Sequence, residues 1–320
     1  MLNYVLRRIS LLLFTLLILS GFAYGIRLSF LRSEEMADDL TYSLFIQHFL
    51  RGEWGISSVT GQPVLDTVLH YLPASLGLIF TGAIFAAIFG TFTGTIAAVY
   101  RDRWPDHVLS NLSLLVFSIP VYWLATLAMM FLAMQLGWFP SSGQLSLLYN
   151  IEPITGFSLL DCWISKQPNH MDALTDAFQH LLLPALVLGM STATEVFRLV
   201  KHSLSDVLSQ NYIKAAQSRG VALGMVVLKH GLRNAIPPIL PMLSMQFGTL
   251  VTAAIITEQM FEWPGLGRWL VTSISARDFE SVQACMLVVA ITLVVINILA
   301  EIVTVMVYPA KRKELYAQQG

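Results

Sequence analysis

The chain is 320 residues long, 55% hydrophobic and only 12% charged, with a mean hydropathy of +0.65. A soluble domain carries about 25% charged residues, so half that charge on so apolar a chain excludes an ordinary soluble enzyme and points to burial in lipid. A net charge of −1 leaves no bulk basicity for nucleic acid, and two cysteines, Cys162 and Cys285, supply neither a disulfide framework nor a cysteine metal site.

A bilayer-crossing helix needs about 20 mostly apolar residues. In chain order, the stretches free of Asp, Glu, Lys and Arg begin with Ile9–Ile26, between Arg8 and Arg27. It follows Arg7-Arg8 as a signal peptide would, but it exceeds the about 7–15 residues of a secretory apolar region, so it is expected to stay as a helix. Thr67–Tyr100 fits one helix with a lead-in. His107–Ile151 is too long for one span and is expected to break at Gly137-Trp-Phe-Pro140. Leu181–Val196, which contains Glu195, then Ala235–Thr257 and Val282–Ala300 complete a reading of six transmembrane helices. Lipid offers the backbone no hydrogen-bond partners, so spans on this scale are helical and the chain is an all-α polytopic membrane protein.

Basic residues set the orientation. With the N-terminus cytoplasmic, 13 of the 19 Lys and Arg fall inside, which also places the C-terminus inside. The carboxylates of Glu34, Glu35, Asp38, Asp39, Glu53, Asp66, Glu152, Asp161, Asp172, Asp176, Glu258, Glu262, Asp278 and Glu280 fall outside. Trp54, Trp138, Trp263 and Trp269 stand near the outer span ends, where aromatic belts form. Two outer segments, 31–70 and 137–179, exceed simple connectors.

Catalytic signatures are missing. No Lys follows a Gly, so the phosphate loop G-x-x-x-x-G-K-[ST] is absent and the chain has no ATPase site of that kind. There is no H-E-x-x-H helix and no G-x-S-x-G elbow, and no metal site is expected. Gly265-Leu-Gly267, beside Pro264, reads as a turn. Gly21-x-x-x-Gly25 and Gly90-x-x-x-Gly94 have the spacing that lets membrane helices approach closely, or are incidental.

The inner loop from Arg198 to Asn234 holds Arg198, Lys201, Lys214, Arg219, Lys229 and Arg233. Its length accommodates two short helices with a turn at Gly220. Ala215 and Ala216 favour helix with little bulk, and Gly220 suits the C-terminal end. Such a helix fits a groove on another protein; the competing reading is a basic loop held by anionic lipid.

This loop resembles that of the permease subunits of ATP-binding-cassette (ABC) transporters, in particular the dipeptide/oligopeptide, binding-protein-dependent family. Lys214-Ala215-Ala216, three residues and Gly220 match the family's E-A-A-x3-G with Lys for Glu. Leu232 matches nearby, while His230 and Arg233 depart from the general pattern as the peptide branch does, within His230-Gly-Leu-Arg-Asn-Ala235. Gly52-Glu-Trp-Gly-Ile-Ser57, Leu72-Pro-Ala74, Ser118-Ile-Pro-Val-Tyr-Trp123, His180-Leu-Leu-Leu-Pro184 and Glu258-Gln-Met-Phe-Glu-Trp-Pro-Gly-Leu-Gly267 are similar as well. Pro153-Ile-Thr-Gly-Phe157 and Asp161-x-Trp163 look most like the Sap-type peptide transport permease.

The resemblance implies a type I ABC permease architecture. A helix at 1–30 precedes a periplasmic segment at 31–70. The permease core at 71–305 carries a periplasmic insertion at about 137–179 and a coupling loop at about 198–235, and a cytoplasmic tail follows at 306–320. It further implies a second permease subunit, cytoplasmic ATPase subunits that bind ATP and Mg, and a periplasmic binding protein. The expected ATPase-coupling residues are Tyr212, Lys214, Ala215, Ala216, Arg219, Gly220, His230, Leu232, Arg233 and Asn234. Peptides or small cationic, polyamine-like molecules are the expected substrates, in the bacterial inner membrane. Asp172, Asp176, Glu195, Glu258 and Glu301 are the substrate-path candidates. A proton-coupled secondary transporter is the alternative; it would need ionisable groups deep in the spans, for which Glu195 and Glu301 are the acidic candidates. Glu195 stands three residues before Arg198.

Overall fold

The computed structural model describes residue 10 and residues 14–25 and 41–307. Among these the chain is all α, with one isolated antiparallel bridge, Ile56 to Pro63. The helices are α1 (Phe14–Gly25), α2 (Tyr42–Arg51), α3 (Val64–Val99), α4 (Trp104–Ser118) and α5 (Val121–Ala128), which runs on as a π-helix over Met129–Gln135. They continue with α6 (Ser158–Ile164), α7 (His170–Ser209), α8 (Asn211–Ser218), α9 (Leu223–Met225) with a π-helix over Val226–Leu232, α10 (Arg233–Met260), α11 (Leu266–Ala276) and α12 (Phe279–Val307).

Helices α3, α7 and α12 are each long and apolar enough to cross a membrane. Two bent pairs raise the number to five: α4 with the 121–135 helix, bent by 104°, and 223–243 with 245–260, bent by 56°. The described part of the expected first span, Phe14–Gly25, is a shorter apolar helix. The tail from 308 on lies outside the described residues.

Several boundaries differ from the sequence reading. The third apolar run does end at a left-handed Gly137, φ +63°, but it also breaks at Ile119-Pro120. Proline disfavours helix at the residue before it, and Ile119 is extended. The fourth span is far longer than 181–196, because α7 runs unbroken from His170 to Ser209. Charged residues end a hydrophobic stretch without ending a helix: Asp172 suits the first turn, and Arg198 and Lys201 continue the last three. The loop that follows, expected from Arg198, is correspondingly shorter.

The described residues fall into two compact units. The first comprises the chain up to Gly77 with Phe139–Leu181 and Ala254–Val295. Here the motifs far apart in sequence meet. Trp263 Nε1 donates to the Ala74 carbonyl at 3.0 Å, and the Leu266 amide donates to Ser75 Oγ at 2.7 Å. The Glu258 carboxylate accepts from the amides of Gly267 (2.7 Å) and Arg268 (3.1 Å), so it caps the N-terminus of α11. Gly265 leaves room for this cap: a Cβ there would stand 2.3 Å from Glu258 Oε2, so the carboxylate would have to shift from the amides it accepts from. Beneath lies a core of Val64, Val68, Leu266, Trp269, Ala284, Cys285 and Val288.

The segment after α2 is fastened to the same unit. Trp54 stacks on Phe49 with centroids 4.8 Å apart. Ser57 Oγ donates to Asp278 Oδ2 at 2.6 Å, Ser281 Oγ to the same oxygen at 2.7 Å, and the Ile56 amide to Glu280 Oε2 at 3.1 Å. Burial alone would raise the Asp278 pKa, but the hydrogen bonds from Ser57 and Ser281 outweigh it and hold the carboxyl below its ordinary value. A carboxyl lowered in the folded state contributes stability above its unfolded pKa of about 4 and loses it as pH falls through the lower, folded value. Thermal unfolding in detergent from pH 7 downward should therefore show destabilisation below about pH 4, and Asp278→Asn should flatten that fall. An unchanged pH profile in Asp278→Asn would show that this carboxylate is not a source of acid sensitivity.

In the 139–181 insertion, Asp161 accepts from the Thr155 amide and hydroxyl, both at 2.7 Å, and from the Gly156 amide at 3.1 Å. The Pro153–Phe157 and Asp161 motifs are thus one self-bonded turn. It lies on α3, where a Cβ on Gly156 would meet Pro73 Cγ at 2.9 Å.

The second unit comprises Leu78–Trp138, Leu182–Ala253 and the chain from Ile296 on. Its centre is a seam between α3 and α7. An added Cβ would lie 2.6 Å from Val196 Cβ at Gly90, 2.7 Å from the Phe197 carbonyl at Gly94, and 2.4 Å from the Gly82 carbonyl at Gly189. The spacing of Gly90 and Gly94 is therefore a packing device, whereas Gly21 and Gly25 have nothing within 4 Å. At one end of the seam Lys201 Nζ pairs with Asp106 and donates to Ser110 Oγ at 2.9 Å. Asp106 also accepts from the Asp102 amide at 3.1 Å, which fixes the α3–α4 turn.

Candidate functional site: the 198–235 loop

Helix α7 stops at Ser209, and Gln210 turns the chain in an extended conformation into α8. Gly220 closes α8 in the left-handed region, φ +80°, with its amide on the Gln217 carbonyl at 2.9 Å. The next helix starts at Leu223, so the turn expected at Gly220 does separate two helical segments.

One side of the loop is an anchor. Ile213 and Val226 are fully buried. Val227 joins a core with Ala98, Leu204 and Ala235, against which Leu232 packs. Gly231 lets the π-helical turn close, since a Cβ there would meet Leu204 Cδ1 at 2.9 Å. Asn234 Nδ2 donates to the Tyr212 hydroxyl at 3.1 Å and to the His230 carbonyl at 2.9 Å, tying the two limbs together.

The other side is open. Tyr212, Lys214, Ala215, Arg219, Gly220, Arg233 and Asn234 are exposed; Ala216, His230 and Leu232 are half-buried. Sequence reasoning missed three exposed apolar residues here, Leu223, Met225 and Leu228; the apolar run Val221–Leu228 inside a basic loop was the available signal. No carboxylate occurs between Asp206 and Glu258. The open face thus combines apolar groups with Lys214, Arg219, Lys229 and Arg233, the make-up of a docking surface for an acidic partner.

The path carboxylates are not brought together. Asp172 is exposed in the first turn of α7. Asp176 accepts from the Ser146 amide and hydroxyl, both at 2.7 Å, and lies 3.2 Å from His180 Nδ1. Glu195 pairs with Arg198. Glu258 is held by the α11 amides. Glu301 falls on α12, and its side chain lies outside the described residues. No cluster of metal-binding side chains occurs among the described residues.

Comparison with known proteins bears on this arrangement. Residues 90–313 match the family described as binding-protein-dependent transport system inner membrane component. The chain is 38% identical over 99% of both lengths to the peptide transport system permease protein SapB of Salmonella typhimurium and, at the same level, to the putrescine export system permease protein SapB of Escherichia coli. It is 36% identical to the di/tripeptide transport system permease protein DppB of Pseudomonas aeruginosa, over 85% of this chain and 80% of that one. Among solved structures, an inward-facing form of the MetNI methionine ABC transporter superposes with a TM-score of 0.56 at 16% identity, covering 77% of this chain and 98% of that one.

Proposed function

The chain belongs to the family of inner-membrane components of binding-protein-dependent transport systems, and we propose that it is the permease subunit that moves peptides or small cationic molecules across the bacterial inner membrane. It has the all-helical fold of a type I ABC permease. ATP and Mg are bound, and ATP hydrolysed, by separate cytoplasmic subunits, and a homologous second permease completes the pathway. A periplasmic binding protein delivers or receives the substrate. Six spans place both termini in the cytoplasm, in keeping with 13 of 19 basic residues on that side.

The observation that carries the coupling role is the exposed basic and apolar face at 211–234, anchored through Ile213 and Val226. ATP binding draws the ATPases together, and the loop passes that movement to α7 and α10, a coupling between distant sites. Nothing favours the proton-driven alternative, since Glu195 already has Arg198 as its partner. Vesicles bearing the assembled transporter should move a cationic peptide with ATP on the cytoplasmic side, and a proton ionophore should leave the rate unchanged. Transport abolished by the ionophore and indifferent to ATP would overturn this reading.

A further inference from the structure

The faces left open within the second unit differ in chemistry. The exposed face of α3 carries Phe80, Ile84, Ile88, Phe89 and Phe92, all suited to lipid. Among the described side chains between Pro238 and Thr252, α10 exposes Pro238, Met242, Met245, Thr249 and Thr252, at successive spacings of four, three, four and three: one stripe down the helix. Its other sides, at Ala235, Ile239, Leu250 and Val251, are buried. The helix after Pro120 also exposes Thr126, Met130 and Met134, beside the aromatic Tyr122, Trp123 and Phe131.

Two further features of α10 set its stripe apart from a lipid-facing surface. Pro237, Pro238 and Pro241 lie inside the helix, so its hydrogen-bond ladder lacks three amide donors. In a membrane helix the backbone groups that prolines free are re-satisfied by neighbouring helices, Ser or Thr side chains or ordered water. The helix also bends by 56° between Leu243 and Met245, and Met245, at the bend, is 76% exposed.

The threonines on these stripes have one sense. Thr249 Oγ1 donates to the Gln246 carbonyl at 2.7 Å, Thr252 Oγ1 to the Gly248 carbonyl at 3.1 Å, and Thr126 Oγ1 to the Tyr122 carbonyl at 2.8 Å. With each hydroxyl proton committed to the backbone, the outward lone pairs only accept, and thioether sulfur is likewise a weak acceptor.

We propose that the Met242–Thr252 stripe of α10 lines the route of the transported molecule and selects N–H-rich substrates, alkylammonium groups and peptide amides, through neutral acceptors rather than fixed charge. This rests on the transport reading above and deepens it. Neutral acceptors bind such groups weakly enough to release them. Flexible methionines accommodate side chains of differing shape.

This chain's own Cys162 and Cys285 are buried, and labelling of an introduced cysteine is read on this chain after its separation from the other subunits, against the unsubstituted chain. Thr249→Cys and Thr252→Cys, in the assembled transporter in vesicles, are treated with a membrane-impermeant thiosulfonate. The reagent consumes thiolate, which forms in water and is suppressed in apolar surroundings. Labelling should run about tenfold or more faster than at Ile84→Cys and Ile88→Cys, and dilysine should slow it. Thr249→Val with Thr252→Val should raise KM for dilysine with little change in kcat, and Ser at both positions should restore it. Labelling no faster than at Ile84→Cys, or unaffected by dilysine, while ATP-driven transport persists overturns the stripe as the route. Rapid labelling without any ATP-driven transport overturns the transport reading instead, and the route with it.

Discussion

Ala215→Glu is expected to uncouple the transporter while leaving its insertion and abundance normal. Ala215 is exposed on α8, so the substitution disturbs nothing within the chain. Against a docked ATPase it places an unpaired carboxylate in a closed contact, which costs about 3 kcal/mol or more, roughly a 100-fold loss in affinity. Transport-stimulated ATP turnover and co-purification of the ATPase should both collapse. Ala216→Glu should act in the same direction, but Ala216 is half-buried, so part of its effect would come from distortion of the loop. Gly220→Val is a milder companion: nothing crowds its Cβ, yet φ +80° strains a β-branched residue by about 1–2 kcal/mol. Unchanged ATP turnover in Ala215→Glu would remove α8 from the docking surface.

The second large effect is expected at the α3–α7 seam. Gly189→Val would force a Cβ to within 2.4 Å of the Gly82 carbonyl, and Gly90→Val to within 2.6 Å of Val196 Cβ. Neither obstacle is the flexible end of a side chain, so the helices must separate. Overpacking of this kind costs about 3 kcal/mol or more, and the apparent Tm in detergent should fall by roughly 5 °C or more. Gly21→Val, in the identical G-x-x-x-G spacing but with nothing within 4 Å, should leave the Tm unchanged. Equal tolerance at Gly21 and Gly90 would refute the seam.

That contrast marks what the sequence could express. Helical spans were legible because lipid leaves a chain few alternatives, and the turn at Gly220 because left-handed backbone favours glycine. Two identical glycine spacings were not distinguishable, since the neighbour that makes Gly90 indispensable lies on α7, about a hundred residues away. The same holds for the carboxylates. Asp176 and Glu258 looked like free outer charges, yet their partners are Ser146 and the amides of Gly267 and Arg268. Hydrogen bonds to backbone leave no compositional trace. The break at Pro120 was masked by its surroundings, because an apolar run reads as continuous whether the helix within it is straight or bent.

The fastening of Ser57 to Asp278 has a consequence for how the protein is made. The two residues are 221 positions apart, and Trp263 reaches back 189 positions to Ala74. At about 5–20 residues per second of synthesis, the hairpin after α2 emerges about 10–40 s before its anchor exists. During that interval Ile56 and Val59, exposed even in the finished fold, have neither Asp278 nor Glu280 beside them. The nascent segment is then open to mispairing, and closing so long a loop is intrinsically slow. Assembly of the first unit therefore waits on synthesis of its last helices, and a chain truncated before Asp278 would leave the Ser57 hydroxyl and the Ile56 amide without these partners.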